Sequence, residues 1–349
     1  MDFRVLDYKK TKSSDGYSSG WSEVTSGIPQ GSILGPLLFL VYINDFPLAV
    51  KCNCGLFADD SILHRKVTSE SDCEDLQTDL HSAYDWRNSW LVTLKSEKSK
   101  VLHLSKAKDP YHHEYWLSDK PLSAVDHHKH LGVWQESSLS WDYHINYICA
   151  KANKVLGLIR RTFGPNNPEG VSIAYKILVR PVLEYGCQVW NPYLVKHIKS
   201  IGSIQRRATR VICGSEKKYQ ERLGVLKWPS RELRRKFICL VQIYKIIFGH
   251  CDIDPRMLFD FNVLAKTRRH HNFKIRTKTT RTNYFKYLFF NRYTTDWNDI
   301  PSNILHAPSL GSFKSYLLLV FSVTQFKIDQ NKNQNRAIDK VQNLGNERR

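Results

Sequence analysis

Asp59 and Asp60 are the side chains best suited to chemistry. They are adjacent carboxylates in the run Gly55-Leu56-Phe57-Ala58-Asp59-Asp60-Ser61-Ile62-Leu63-His64. Gly55–Phe57 and Ile62–His64 read as short apolar strands, and Ala58-Asp59-Asp60-Ser61 has the composition of a turn. The unit is therefore predicted to be a β-hairpin with both carboxylates at its tip. Side chains on a tight turn project outward, so the pair concentrates negative charge at one exposed point. Hard cations such as Mg²⁺ take oxygen donors of this kind and leave room for substrate phosphates. Asp is also a favoured turn residue for purely local reasons. The apolar flanks separate the two cases: Leu56, Phe57, Ile62 and Leu63 bury the strands beneath the turn and give the rigid scaffold a metal site requires. Two further clusters carry chemistry-bearing side chains. His127, His128 and His130 lie close together with no Cys partner at zinc spacing. Arg206, Arg207 and Arg210 fall on one helix face and suit contacts to phosphates.

The elements that must hold these residues follow from periodicity. Phe3–Tyr8 and Trp21–Val24 read as strands around a Ser/Gly/Asp-rich turn. Gly27-Ile28-Pro29-Gln30-Gly31 resists regular structure, and Ser32–Asp45 reads as a buried helix with Pro36 near its first turn. Asp72–Leu91 is predicted helical, with Leu76, Leu80, Ala83 and Trp90 on its apolar side. Lys100–Leu104 alternates like a strand, and Leu131–Trp134 with Leu139–Trp141 suggests a second hairpin around Gln135–Ser138. The period then turns helical over His144–Thr162, Val171–Val179, Ser203–Ile212 and Arg231–Phe248. Residues 326–349 are rich in Gln, Asn and Lys and read as a disordered tail. The fold class is α+β: an α/β front half and a mostly helical back half.

The 349 residues allow two or three domains, and 42% hydrophobic content supports a folded chain. The formal net charge of +19 argues for a polyanionic partner, with nucleic acid ahead of a membrane surface. That charge is uneven. Arg206 to Lys286 holds 21 Lys/Arg against 6 Asp/Glu, interleaved with Trp228, Phe237, Tyr244, Phe273, Tyr284, Phe285 and Tyr287. This is the composition of a nucleic-acid groove. The apolar runs Ile33–Ile43 and Leu317–Val323 are far short of the roughly 20 residues of a membrane span. No apolar segment follows Met1, so no secretory signal is read, and an intracellular location, nucleus or cytoplasm, is expected. The eight cysteines form no Cys-x-x-Cys pair and read as free thiols.

Several ordered motifs together resemble a family. Ser26-Gly27-Ile28-Pro29-Gln30-Gly31-Ser32-Ile33-Leu34-Gly35-Pro36-Leu37-Leu38-Phe39, then Tyr42-Ile43-Asn44-Asp45, then Leu56-Phe57-Ala58-Asp59-Asp60 closely resemble a reverse transcriptase, specifically the polymerase of jockey-like non-LTR retrotransposons. Trp90-Leu91-Val92-Thr93-Leu94-Lys95 with Lys98 resembles the next palm motif, which usually has Asn where this chain has Lys95. His130-Leu131-Gly132-Val133 with Leu139-Ser140-Trp141 resembles the hairpin that grips the primer end. The likeness continues through Leu183-Glu184-Tyr185-Gly186, Val189-Trp190-Asn191-Pro192-Tyr193, Gln205-Arg206-Arg207 and Trp297-Asn298-Asp299-Ile300-Pro301. It covers nearly all of residues 20–320.

The resemblance implies a right-hand polymerase fold. Residues 1–125 would be a partial palm, 126–165 the primer-grip hairpin and first thumb helix, and 166–325 a helical, basic thumb and C-terminal region. It implies Asp59 and Asp60 as catalytic metal ligands, with two Mg²⁺ about 4 Å apart in the complete site. Lys98 would face the leaving pyrophosphate as a proton donor. Pro29, Gln30, Gly31 and Phe57 would line the template and nucleotide pocket, and Leu131, Gly132 and Val133 would form the primer grip. Arg206, Arg207 and Arg210 would contact the backbone of an RNA template with its DNA primer, or of an RNA–DNA hybrid. The family also carries an upstream strand with a third catalytic Asp, a fingers region and an endonuclease. None of these is read in this chain, so it is expected to be inactive alone and to take a dNTP only if the site is completed.

Overall fold

The computed structural model describes residues 10–11, 22–23, 34–92, 96–107, 111–164, 166–261 and 273–321. The predicted strands Phe3–Tyr8 and Trp21–Val24, the loop Gly27–Gly31 and the tail 326–349 lie outside them, apart from Ser22 and Glu23. The chain forms two compact units, one of Met1–His128 with Ser137–Leu139, the other of Lys129–Glu136 with Ser140–Arg349. Helices and small two-stranded sheets make up both, which is the expected mixed α+β class.

In the first unit, β1 (Lys10–Thr11) pairs antiparallel with β2 (Ser22–Glu23). Helix α1 (Leu34–Ile43) follows, then a short 3-10 turn over Phe46–Ala49. Strands β3 (Asn53–Phe57) and β4 (Asp60–His64) form an antiparallel hairpin in the register Asn53↔His64 to Phe57↔Asp60. Helix α2 (Glu70–Trp90) starts at a capping box: the Ser69 hydroxyl accepts from the Asp72 N–H, and the Asp72 carboxylate accepts from the Ser69 N–H. Hydrogen bonds from Thr68 and Ser69 hold the Asp72 carboxyl well below its usual range. Strand β5 (Lys100–Val101) pairs in parallel with β8 (Ser123–Ala124), and β6 (Trp116–Leu117) pairs antiparallel with β7 (Lys120–Pro121). The core beneath the β3–β4 hairpin is Phe46, Val50, Cys52, Ala83 and Trp86, joined by Leu56 and Leu63.

In the second unit, β10 (Val133–Glu136) precedes α3 (Asp142–Phe163), which buries His144, Ile145, Ile148, Ala152, Leu156 and Ile159 as one stripe. This matches the helical period read from the sequence. Helix α4 (Pro168–Ala174) runs into a π-turn over Tyr175–Val179, then α5 (Cys187–Trp190), α6 (Val195–Cys213), α7 (Tyr219–Leu226) and α8 (Arg231–Ile247). One core joins α3, α4, α5 and α6 through Ile148, Val171, Trp190, Ile201 and Ile204. A second gathers α8 with Phe259, which follows the 3-10 turn Pro255–Met257, and with Trp297, Leu305 and Phe313 from α11 (Thr294–Asn298), α12 (Ser302–Leu305) and α13 (310–321). Between them run α9 (Asn283–Lys286) and α10 (Phe289–Arg292).

Several predicted elements are corrected. Helix α1 is not buried: Leu34, Leu37, Leu40 and Val41 are all more than half exposed, and only Ile43 at its end joins the core. Its residues are apolar on every side, so the pattern marks no single face for covering. On α2 the buried indole is Trp86, and Trp90 is exposed. The strand at Lys100 stops at Val101. The second hairpin is shifted: strand β9 (His127–His130) pairs with β10, and Leu131–Gly132 is the turn rather than strand. Leu131, with φ 45°, and Gly132, with φ 83°, both adopt left-handed backbone, which suits a two-residue turn and not a strand.

Candidate functional site

The β3–β4 hairpin puts Asp59 and Asp60 at its tip, but in different roles. The loop is only Ala58-Asp59, and Asp60 is the first residue of β4, paired with Phe57. The sequence reading had spread the turn over four residues. The strands close earlier because Ala58 takes φ 50°, a left-handed backbone that an L-residue adopts at a cost. Both carboxylates are exposed. The Phe57 ring beside them, expected to help bury the strands, is instead 62% exposed, because it stands at the end of β3 next to the loop and, of the four apolar flanks, only Leu56 and Leu63 reach the core.

Beneath the tip the hairpin is fixed by α2. The Asp79 carboxylate is buried and accepts the N–H groups of Lys51, at 2.8 Å, and Cys52, at 2.9 Å, just ahead of β3. Burial first, and then Asp79 itself, pushes the Cys52 thiol up to about 12. About two turns further along α2, Trp86 Nε1 donates to the Asp45 carboxylate at 3.1 Å, and its ring meets Phe46 edge-on at 4.9 Å. Asp79 was not singled out from the sequence. Its signal was available: a carboxylate between Leu76, Leu80 and Ala83 on an apolar stripe must cap something buried.

The donors have the chemistry a hard divalent cation takes, namely two carboxylates on a braced tip. They fit part of one ion's shell. Among the described residues, no group of three or more His, Cys, Asp or Glu side chains is placed to hold a metal ion, at the tip or at His127–His130. Lys98 is exposed on the turn 96–98, and among the described residues no ion pair joins it to Asp59 or Asp60. Pro29, Gln30 and Gly31 lie outside the described residues.

In the second unit the Leu131–Gly132 turn is clasped from one side. Tyr185 donates its hydroxyl to the Leu131 carbonyl at 2.9 Å. A side chain at Gly132 would meet the Tyr185 ring at 3.0 Å, so the turn needs glycine for space as well as for its φ of 83°. Trp190, fully buried, donates Nε1 to the Tyr185 carbonyl at 2.8 Å. Its indole packs on the His144 ring at 5.1 Å, and His144 Nδ1 accepts the Trp134 N–H at 3.2 Å. Tyr185 and Trp190 lie in the motifs Leu183–Gly186 and Val189–Tyr193, whose spacing alone does not reveal this clasp.

Arg206, Arg207 and Arg210 are all exposed on α6. Arg206 lies over the Tyr219 ring at 5.1 Å, and Arg207 donates to the Ser203 hydroxyl at 3.3 Å. Other cations of the basic stretch are structural. The Glu184 carboxylate accepts from Arg231 Nη1 at 2.8 Å and from Arg234 Nε and Nη2 at 2.6 and 2.8 Å. Arg222, Arg231 and Arg235 are buried. Trp228 and Tyr244 are buried too, so part of the aromatic interleaving is core rather than groove.

With this geometry in view, residues 3–148 match the family model described as reverse transcriptase (RNA-dependent DNA polymerase). Over these residues the chain is similar to a reverse transcriptase domain. The β3–β4 hairpin and most of the β9–β10 neighbourhood lie inside that domain, and the helical second unit runs on beyond it. The chain is similar to a protein called probable RNA-directed DNA polymerase from transposon X-element of Drosophila melanogaster, 31% identical over 204 residues, or 55% of this chain and 22% of that protein. It is 25% identical over 213 residues to the RNA-directed DNA polymerase from mobile element jockey of the same fly, or 58% of this chain and 23% of the relative. A Pol polyprotein from the type-1 retrotransposable element R1 of Bradysia coprophila is 28% identical over 180 residues, or 48% of this chain and 18% of the relative. These matches support a reverse transcriptase of a jockey-like element. The chain spans about a fifth of the length of these curated relatives. No solved structure matches.

His144 gives the clasp a pH dependence. Burial, with a smaller contribution from the Lys129 ammonium, pushes its pKa down from 6.5 to about 4. The unfolded chain then binds more protons than the folded one between these values. The stability linked to His144 is complete above pH 6.5 and is lost as pH falls toward 4. Between pH 7 and pH 5 the loss is about 2 kcal/mol. Replacing His144 by Asn keeps an acceptor for the Trp134 N–H without a titrating ring, so equilibrium unfolding of H144N should show a flatter loss over that interval. Equal losses in parent and variant would remove His144 as the titrating group.

Proposed function

We propose that this reverse transcriptase domain contributes to RNA-directed DNA polymerisation, with Asp59 and Asp60 as metal-ligating carboxylates of nucleotidyl transfer. The observation that carries this reading is the exposed carboxylate pair on a two-residue turn, braced by Asp79 and Trp86. When bound, Mg²⁺ compensates charge on the attacking 3′-hydroxyl and on the transferred phosphate. The protein's own part is positional. Asp59 and Asp60 hold oxygen donors at a fixed point, and the Phe57 ring beside them, with Pro29, Gln30 and Gly31, lines the template and nucleotide pocket. Lys98 donates a proton to the leaving pyrophosphate. The Leu131–Gly132 turn, with Val133 at the start of β10, grips the primer end. Residues 1–125 act as palm, 126–165 as primer grip and first thumb helix, and 166–325 as thumb and C-terminal region. The partner is an RNA template with its DNA primer, inside the cell, in nucleus or cytoplasm. Among the described residues no helix is long and apolar enough to cross a membrane.

Two carboxylates give an incomplete donor set, so the chain alone is inactive in this reading. Primer extension on an RNA template with Mg²⁺ or Mn²⁺ should stay at background for the purified chain. Template-dependent extension that disappears in Asp59→Ala would refute the inactivity and keep the site.

A second reading is favoured by the exposure of Arg206, Arg207 and Arg210: a nucleic-acid-binding remnant that holds a hybrid without catalysis. Its affinity for an RNA–DNA hybrid should fall with salt, with a log–log slope of about −0.7 to −0.9 per phosphate contact. Replacing the three arginines together should flatten that slope by roughly two to three. Asp59→Ala should leave the slope unchanged. A parental slope in the triple variant, measured by anisotropy titration, would reduce these arginines to a solvated face.

A further inference from the structure

Beyond the matched domain, the segment 274–292 combines charge and exposed rings in a way the core does not need. It holds six Lys/Arg and no Asp or Glu. Tyr284, Phe285 and Leu288 are 40%, 37% and 41% exposed, three large apolar side chains within five residues. Single exposed apolar residues are ordinary, whereas a cluster ringed by one sign of charge marks an interaction surface. Arg281 and Lys286, which flank the two rings in sequence, are exposed as well.

The segment is also braced by contacts to the loop 191–193. Arg292 donates to the carbonyls of Asn191 and Pro192 and lies over the Tyr287 ring at 5.4 Å. Tyr287 stacks on Tyr193 at 4.3 Å with the rings parallel to within 1°. The Asn291 amide donates to the Phe285 carbonyl at 2.8 Å, and the Thr282 hydroxyl accepts the Phe285 N–H at 3.3 Å. Tyr287 and Arg292 are therefore the frame, and Tyr284 and Phe285 each keep part of their ring at the surface, Phe285 with one edge against Phe290. Binding to such a surface loses little conformational entropy.

We infer that residues 274–292 form a stacking surface for single-stranded nucleic acid, with Tyr284 and Phe285 taking bases and Arg281 and Lys286 taking phosphates. Every base has a π-face, so such a surface tolerates any sequence, and it needs unpaired bases because those of a duplex are already stacked. The uniform positive charge selects a polyanion over a neutral peptide. The surface shares no residue with the Arg206–Arg210 face and does not depend on catalysis at Asp59.

The test is fluorescence anisotropy of the full chain with labelled oligo-dT and oligo-U strands of about 15 nucleotides, a site size that OB-fold binders reach. A duplex of the same length and anionic phosphatidylserine vesicles serve as competitors. The Tyr284→Ala, Phe285→Ala pair should weaken single-strand binding at least about tenfold, since each lost stack is worth about 1–3 kcal/mol. The salt slope should not change, because stacking releases no counterions. Tyr284→Trp should retain the affinity. The Arg281→Ala, Lys286→Ala pair should instead flatten the slope by roughly one to two. The Arg206, Arg207, Arg210 triple variant should leave the loss caused by the aromatic pair intact, which separates this surface from the hybrid-binding reading. Phe285 also meets Phe290 edge-on at 6.2 Å, so a Phe285→Leu variant, which keeps an apolar contact there, should melt with the parent and still weaken single-strand binding. Parental single-strand affinity in the aromatic pair variant would overturn the inference, as would equal weakening for the duplex. So would vesicles displacing the strand from the parent but not from the variant.

Discussion

The carboxylate of Asp79 is the contact on which the first unit depends. It sits on α2, buried, and takes up the N–H groups of Lys51 and Cys52. Those N–H groups open the strand that carries Asp59 and Asp60 to the tip. Without an acceptor there, the buried Cys52 N–H would be stranded away from water, at about 1–3 kcal/mol, and the Lys51 N–H would lose its fixed partner. The helix thus sets where the hairpin begins, and the two-residue loop sets where it ends. Strain at Ala58 is the local cost of that short loop, and it falls between the exposed Phe57 ring and the carboxylates.

A comparable logic holds the turn at Leu131–Gly132. Its left-handed backbone makes no regular ladder, so its geometry comes from outside. Tyr185 supplies a hydroxyl to one carbonyl and a ring face against the glycine, and Trp190 fixes Tyr185 from below. Both tips stand at the surface and are braced from within, the first by Asp79 and Trp86, the second by Tyr185 and Trp190.

Much of this was legible in the sequence, for reasons that differ by element. The stripe on α3 was readable because Ile145, Ile148, Ala152 and Ile159 repeat at helical spacing. The Asp59–Asp60 hairpin was readable because apolar strands flank a turn composition. Its register was not, since only the backbone reveals that Ala58 accepts a positive φ and draws Asp60 into β4. Helix α1 misled because apolar composition alone does not say what covers a helix. The charge of the back half misled in part, since Glu184 and the buried Arg231 use basic residues to build the core. Net charge counts such groups with the surface and cannot tell them apart.

The central claim is that Asp59 and Asp60 act together as a cation site on a fixed tip. Mn²⁺ titration followed by paramagnetic broadening of amide resonances tests it most directly. The account predicts broadening centred on Phe57 to Ser61 in the parent chain, and its loss in an Asp59→Asn, Asp60→Asn double variant of unchanged melting temperature. Broadening centred elsewhere, or persisting at the hairpin in the double variant, would contradict it.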